Sequence, residues 1–339
     1  MTRDLVPGGV RRDVAVDGMR FSLWRSDPGP QGVDPAGLAP AAHSTPATHS
    51  TPAAYSTPAA MLLHGVPETG AMWRDLLAEL GSDRIVLAPD LPGLGSSELR
   101  GPYDARTVAA RIAALALHEL DAPVDIVGHD WGGVVGLTLA ASRPDLVRRL
   151  VVLNAAYRYV DLRAAWHIPM ASLPGLPELA FRVGGRSLVA QVIRVGWHAD
   201  RPVAPDLLAH YQDAYADPRR IAAMLGYYRD NFRPRAAAAL RGVAGRARSA
   251  PAPVDAATRR RPPGPRTPSL VVWGALDPVL PESVRASVVR DLGDCRCVVI
   301  PHAGHFVLEE APETAIPAIV AFLREPDGLG EPDGEVTGS

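Results

Sequence analysis

Short apolar runs alternate with stretches of helical period along most of the chain. Residues 11–16 and 19–25 alternate in polarity on either side of Asp17-Gly18, a pattern that predicts a β-hairpin. Residues 61–63, 84–88, 124–127, 150–153, 269–273 and 295–300 are near-continuous apolar runs, as expected of strands covered on both faces. Between them, 71–80, 104–120, 134–141, 282–291 and 312–323 repeat at helical spacing. Asp104 is placed to cap the second of these, and Pro144 stops the third. Strands alternating with helices predict an α/β fold built on a mostly parallel, doubly wound sheet. No strand pattern occurs from 157 to 242. Helices, aromatics and Pro-rich turns fill that stretch, which reads as a helical lid inserted after the sixth strand. The core is then 1–156 plus 243–339.

Composition refines this outline. A chain of 339 residues can bury a large core. Residues 27–58 are Pro, Ala, Ser, Thr and Gly with a hexad repeat, His43-Ser-Thr-Pro-Ala-Thr, His49-Ser-Thr-Pro-Ala-Ala and Tyr55-Ser-Thr-Pro-Ala-Ala. They have too little apolar surface to offset the entropy of ordering and are expected to form a disordered loop. Residues 243–267 read as a solvated linker despite Arg259-Arg260-Arg261, because no aromatic interleaves the charges, and 325–339 as a frayed tail. The net charge of −2 gives no bulk attraction to nucleic acid or an acidic membrane. Cys295 and Cys297 are expected to be buried strand residues in a reducing compartment. Residues 1–10 have no apolar signal-peptide core, and no apolar run is long enough to span a bilayer, so a cytoplasmic location is expected. Nothing indicates a cofactor. His302 and His305 are close but lack further ligands, so no metal is expected. The oligomeric state is not encoded legibly.

The chemistry centres on Gly128-His129-Asp130-Trp131-Gly132-Gly133. It follows one apolar run and opens the next, the strand–turn–helix context of a nucleophile elbow. Small residues at 128 and 132 permit a bend tight enough to lift the central side chain clear of the sheet. That side chain is a carboxylate. A carboxylate attacks carbon by displacement and is left as an ester that water must hydrolyse, so the substrate needs an electrophilic sp3 carbon bearing a leaving group. Hydrolysis needs a base and a group to hold it. Asp277 follows the run at 269–273 and His305 follows the run at 295–300, giving the order nucleophile, acid, histidine. No serine occupies an elbow, which disfavours a serine esterase. A purely binding protein would be expected to lack one of the three groups.

At these residues the chain resembles an α/β-hydrolase of the epoxide hydrolase and haloalkane dehalogenase group, from about 10 to 323 apart from the low-complexity stretches. That group carries Asp at the elbow, as at 130, and H-G-x-P upstream, as at 64–67. The resemblance implies an oxyanion hole from the backbone N–H groups of Val66 and Trp131, with Pro67 cis. It also implies a lid donor to the departing oxygen at Tyr228, in Gly226-Tyr227-Tyr228-Arg229-Asp230-Asn231. A second donor is implied at His167, upstream of Leu173-Pro-Gly-Leu-Pro-Glu178. His64, Pro67, Trp166 and Tyr227 would line the pocket. The implied substrate is a small apolar epoxide opened to a vicinal diol without cofactor. A haloalkane dehalogenase is the alternative, since Trp131 matches its first halide-gripping indole and Trp166 offers a second. A fluoroacetate dehalogenase is disfavoured because Trp131 and Val134 stand where arginines would grip a carboxylate. Glu68 is expected to make structural hydrogen bonds, Trp73 to pack, and His129 and His302 to flank the site without an assigned role.

Overall fold

A computed structural model of the chain describes residues 5–28, 57–120, 123–198, 200, 202–246 and 264–327. Most of 27–58, with nearly all of the hexad repeat, lies outside them, as do most of the expected linker and tail.

The hairpin is β1 (Val10–Val16) and β2 (Met19–Ser26), joined at Asp17-Gly18, both with positive φ (50° and 71°). That geometry matches the twist of the strands it joins. Then follow β3 (Ala60–Leu63), a 3-10 turn at Gly70–Trp73, α1 (Arg74–Leu80), β4 (Val86–Pro89), α2 (Ala105–Glu119), β5 (Val124–His129), α3 (Trp131–Ser142) and β6 (Val147–Leu153). Four helices interrupt the alternation: α4 (His167–Ser172), α5 (Leu176–Gly196), α6 (Pro205–Ala214) and α7 (Pro218–Arg246). The sheet resumes with β7 (Ser269–Gly274), α8 (Glu282–Leu292), β8 (Cys295–Ile300), α9 (Val307–Glu310) and α10 (Pro312–Leu323). Asp104 does cap α2, its carboxylate accepting the Thr107 N–H. The helix after β5 begins at Trp131, three residues before the apolar period starts, because Gly132 and Gly133 are helical without contributing to that period. The last lid helix runs four residues past the expected boundary at 242.

The eight strands lie in the order β1-β2-β4-β3-β5-β6-β7-β8, with β2 antiparallel to its neighbours and every pair from β4 to β8 parallel. The crossover from β3 to β4 moves one way across the sheet and that from β5 to β6 the other. Right-handed crossovers then put α1 and α3 on opposite faces. β3 and β5 are adjacent at this switch point, so the crevice above their carboxyl ends is where an α/β sheet places its ligand site. β3, β5 and β7 are buried along their whole length. β8 is not: it is an edge strand, and Cys297 is exposed and Cys295 only half-buried, which corrects the expectation that both are buried. No described helix is long and apolar enough to cross a membrane.

Candidate active site

Asp130 sits in the sharp bend between β5 and α3 with φ 47° and ψ −117°. A non-glycine residue held there is strained, and packing on both sides must hold it in place. The surrounding glycines make that packing possible. A Cβ on Gly128 would lie 2.5 Å from the Gly132 carbonyl oxygen, one on Gly132 would enter the Leu63 carbonyl, and one on Gly65 would lie 2.5 Å from the Asp130 Cβ. The Asp130 carboxylate thus stands against the loop that follows β3. There the Val66 N–H donates to its Oδ2 at 3.0 Å, beside a cis Val66–Pro67 bond. Burial pushes the Asp130 carboxyl up, opposed by the positive charge of His305 and His129 and by the Val66 N–H. Trp131 supplies the first N–H of α3, whose positive dipole end also faces this carboxylate.

The loops after β7 and β8 bring Asp277 and His305 together. His305 Nδ1 donates to Asp277 Oδ2 at 2.7 Å. The other Asp277 oxygen accepts the Val279 and Leu280 N–H groups at 2.8 and 2.9 Å. Burial alone would raise the Asp277 carboxyl, but His305 and these donors hold it below the ordinary value, so it is ionised. Nε2 faces Asp130 Oδ1 at 4.0 Å and carries the lone pair whenever the ring is neutral, since Nδ1 keeps its proton on Asp277. Burial would lower the His305 pKa, but Asp277 and Asp130 together raise it.

Two residues that the pattern left without a role turn out to brace this arrangement. Asn154, at the end of β6 with φ 33°, donates from Nδ2 to Asp277 Oδ2 at 2.7 Å and accepts the Gly274 N–H at 2.9 Å. It pins the acid to the strand beneath it. His129 is fully buried, with Nδ1 on Glu68 Oε2 at 2.8 Å and Nε2 on the His305 carbonyl at 2.9 Å. Both ring nitrogens meet acceptors, so the ring is an imidazolium. Burial opposes that charge, but Glu68 and Asp130 raise its pKa to about 9. Glu68 also accepts the Gly65 N–H at 2.9 Å, so one ion pair ties the β3 loop to the histidine loop. The sequence signals were a polar residue ending an apolar strand, and an acid three residues beyond Gly65.

The lid contributes Tyr228 and His167, whose rings meet edge to face at 5.8 Å. Tyr228 also meets Trp131 edge-on at 5.3 Å. Burial, and then the nearby Asp130 charge, push the Tyr228 phenol well up, so it keeps its proton. Burial and the His305 charge lower the His167 pKa to about 4, so its ring is neutral. Near neutral pH both groups carry a hydrogen to donate and no charge.

Three residues placed around the pocket stand elsewhere. The Tyr227 hydroxyl donates to the Pro92 carbonyl at 2.8 Å while its ring stacks on Tyr103, so it is a packing residue beneath the lid. Trp166 is 56% exposed on the outside of α4, because a helix that turns His167 inward turns its predecessor out. His64 is fully buried between the Gly65 carbonyl and the Leu91 N–H, and braces the β3 loop from behind. Pro67 stays beside Val66. A cleft of about 460 Å3 opens on the far side of Trp131, between Val134, Tyr157 and Phe232. No group of His, Cys, Asp and Glu side chains among the described residues could hold a metal ion.

The fold has counterparts in known proteins. A family model described as alpha/beta hydrolase fold matches residues 58–312. Epoxide hydrolase 3 of Xenopus tropicalis is 26% identical over 285 residues, covering 78% of this chain and 71% of that one. Haloalkane dehalogenase 2 of Mycobacterium bovis is 27% identical over 273 residues, covering 77% and 86%. Among solved structures, the epoxide hydrolase CorEH superposes with a TM-score of 0.69 at 20% identity, covering 93% of this chain and 98% of that one. At that identity the likeness extends to the fold alone.

Proposed function

The chain belongs to the α/β-hydrolase fold family, and from that premise we propose that it opens an apolar epoxide to a vicinal diol through an ester on Asp130. The observation that carries this reading is the pair of neutral lid donors, Tyr228 and His167, packed against each other, with Tyr228 set on Trp131, the residue next to the half-buried Asp130. Opening an epoxide leaves an alkoxide, which needs a proton or strong donor on the face away from the nucleophile. In the proposed sequence, Asp130 attacks a ring carbon from behind, the C–O bond breaks, and Tyr228 and His167 donate to the departing oxygen. His305, held by Asp277, then takes a proton from water that adds to the ester carbonyl. The resulting oxyanion rests on the Val66 and Trp131 N–H groups. Its collapse breaks the ester C–O bond, His305 returns its proton to the departing diol oxygen, and the proton left on the Asp130 carboxyl restores that of the lid donor. Each preset donor in such a hole is worth about 3 kcal/mol of barrier.

The dehalogenase reading lacks its halide cradle. The Trp131 indole is packed edge-on against Tyr228, Val66 has no side-chain N–H, and Trp166 lies outside. Parallel assays for diol from styrene oxide and bromide from a bromoalkane test the choice: diol without bromide is expected, and bromide without diol refutes the proposal. Tyr228→Phe is expected to cut diol formation about 10- to 100-fold while His167 sustains the remainder. Unchanged turnover in that variant would remove Tyr228 from the mechanism.

Ester formation should also retune His305. While Asp130 is ionised, its charge helps hold the imidazole pKa above the ordinary value of about 6.5. Once Asp130 is esterified that charge is gone, so the imidazole drops back toward neutral at the step that needs a base. Ester hydrolysis must slow as pH falls through the His305 pKa, since protonation removes the base. Its acid limb in single-turnover rates should therefore lie below the His305 pKa titrated by NMR in the free enzyme. Coincident values would show that the Asp130 charge does not set it.

A further inference from the structure

The first half of α5 is amphipathic in the wrong direction for a packed helix. Leu176, Leu179 and Val183 follow one another at helical spacing, yet they are exposed (57%, 55% and 81%), and only Pro177 in this half is buried. The helix breaks at Gly185 (φ 49°), beyond which Val189, Ala190 and Ile193 pack inward normally. Trp166 at the start of α4, Met170 on it and Leu173 in the intervening turn continue the exposed apolar run. An apolar stripe of this length turned to water signals a surface that binds something.

Charge argues for what that is. Between 162 and 196 the chain carries Arg163, Arg182, Arg186 and Arg194, all exposed, against a single acid, Glu178, which pairs with Arg229. Arg186 pairs with Asp213 of α6, and Arg163, Arg182 and Arg194 carry the local positive charge. Exposed Leu, Met and Trp in a stretch with an excess of arginine is the composition of a segment lying in a lipid–water interface. A two-fold contact between copies would set arginine against arginine. The stretches 29–56 and 247–263 are too poor in large apolar side chains to cover the stripe, and the second would add more arginine. The net charge of −2 conceals this basic face. We propose that α4 and the first half of α5 dock on an anionic lipid surface, contrary to what the net charge leads one to expect. His167 lies on α4 beside Trp166, so the same short helix carries a site donor and the docking face. For the hydrolase reading, the substrate class would then be an apolar epoxide partitioned into lipid, although the docking itself does not depend on that reading.

The test uses the full chain and extruded vesicles of phosphatidylcholine, alone or with about 30% phosphatidylglycerol. Co-sedimentation is expected with both and at least about 10-fold tighter with the anionic lipid. Leu176→Ser with Val183→Ser should weaken binding about 10-fold or more, while Arg182→Gln with Arg194→Gln should erase the preference for anionic vesicles. Both double variants should turn over a small soluble epoxide at the parent rate, and binding is read whether or not any epoxide is turned over. Absence of binding to either vesicle overturns the proposal. So does a stable dimer that the Leu176→Ser/Val183→Ser variant dissociates, which would give this face to a second copy.

Discussion

Asp130→Ala should fold and lose at least about 10^4-fold in diol formation. The side chain bears little structural load: it makes no cap bond to α3, and the Val66 N–H that donates to it faces the site, where water can take the place of the carboxylate. Ala also has no more volume than Asp to press on Gly65. What disappears is the nucleophile. The sharper form of this experiment is one turnover of the parent enzyme in heavy-oxygen water, with enzyme in excess. Because the oxygen handed to the diol comes from the carboxylate, the first product should be unlabelled and the label should appear in the peptide containing Asp130. Label passing directly into the first diol would mean that water attacks the epoxide itself, and the ester mechanism would be wrong.

His305→Gln should separate the two halves of the reaction. The attack by Asp130 and the donation from Tyr228 do not require the imidazole, so about one equivalent of epoxide should be consumed in a burst. Hydrolysis should then fall about 10^3-fold or more, and the protein should gain the mass of the substrate. Gln restores some of the bulk but supplies no base. Its effect on ester formation is less simple. The His305 charge helps ionise Asp130 against the upward push of burial, so the burst should need a higher pH than in the parent. The sign follows directly: removing a positive neighbour raises the Asp130 pKa, leaving less carboxylate at a given pH. An ester that never accumulates, with steady turnover near the parent rate, would remove His305 as the base.

All eight strands were legible, β1 and β2 as an alternating pair around Asp17-Gly18 and the other six as short apolar runs, since burial on both faces writes itself into sequence as a run of Val, Leu, Ile and Ala. The edge position of β8 was not, because 295–300 has the same composition as a central strand and only the order of strands exposes it. The elbow was legible for a different reason. Close backbone approach excludes any Cβ at 128 and 132, and glycine is the one residue without it. His129 and Asn154 were opaque, since their partners Glu68 and Asp277 lie 61 and 123 positions away along the chain.

Sequence by itself determined the α/β alternation, the place of the helical insertion, and the order of a carboxylate, a second acid and a histidine at strand ends, since these are local features of spacing and backbone shape. Tertiary structure alone decided which polar groups meet. It set Tyr228 against Trp131 and His167 and the adjacent Tyr227 into packing, put Trp166 outside, and charged His129 while keeping His167 neutral. Orientation on a helix and the cost of burying charge depend on neighbours distant in the chain, and no window of sequence contains them.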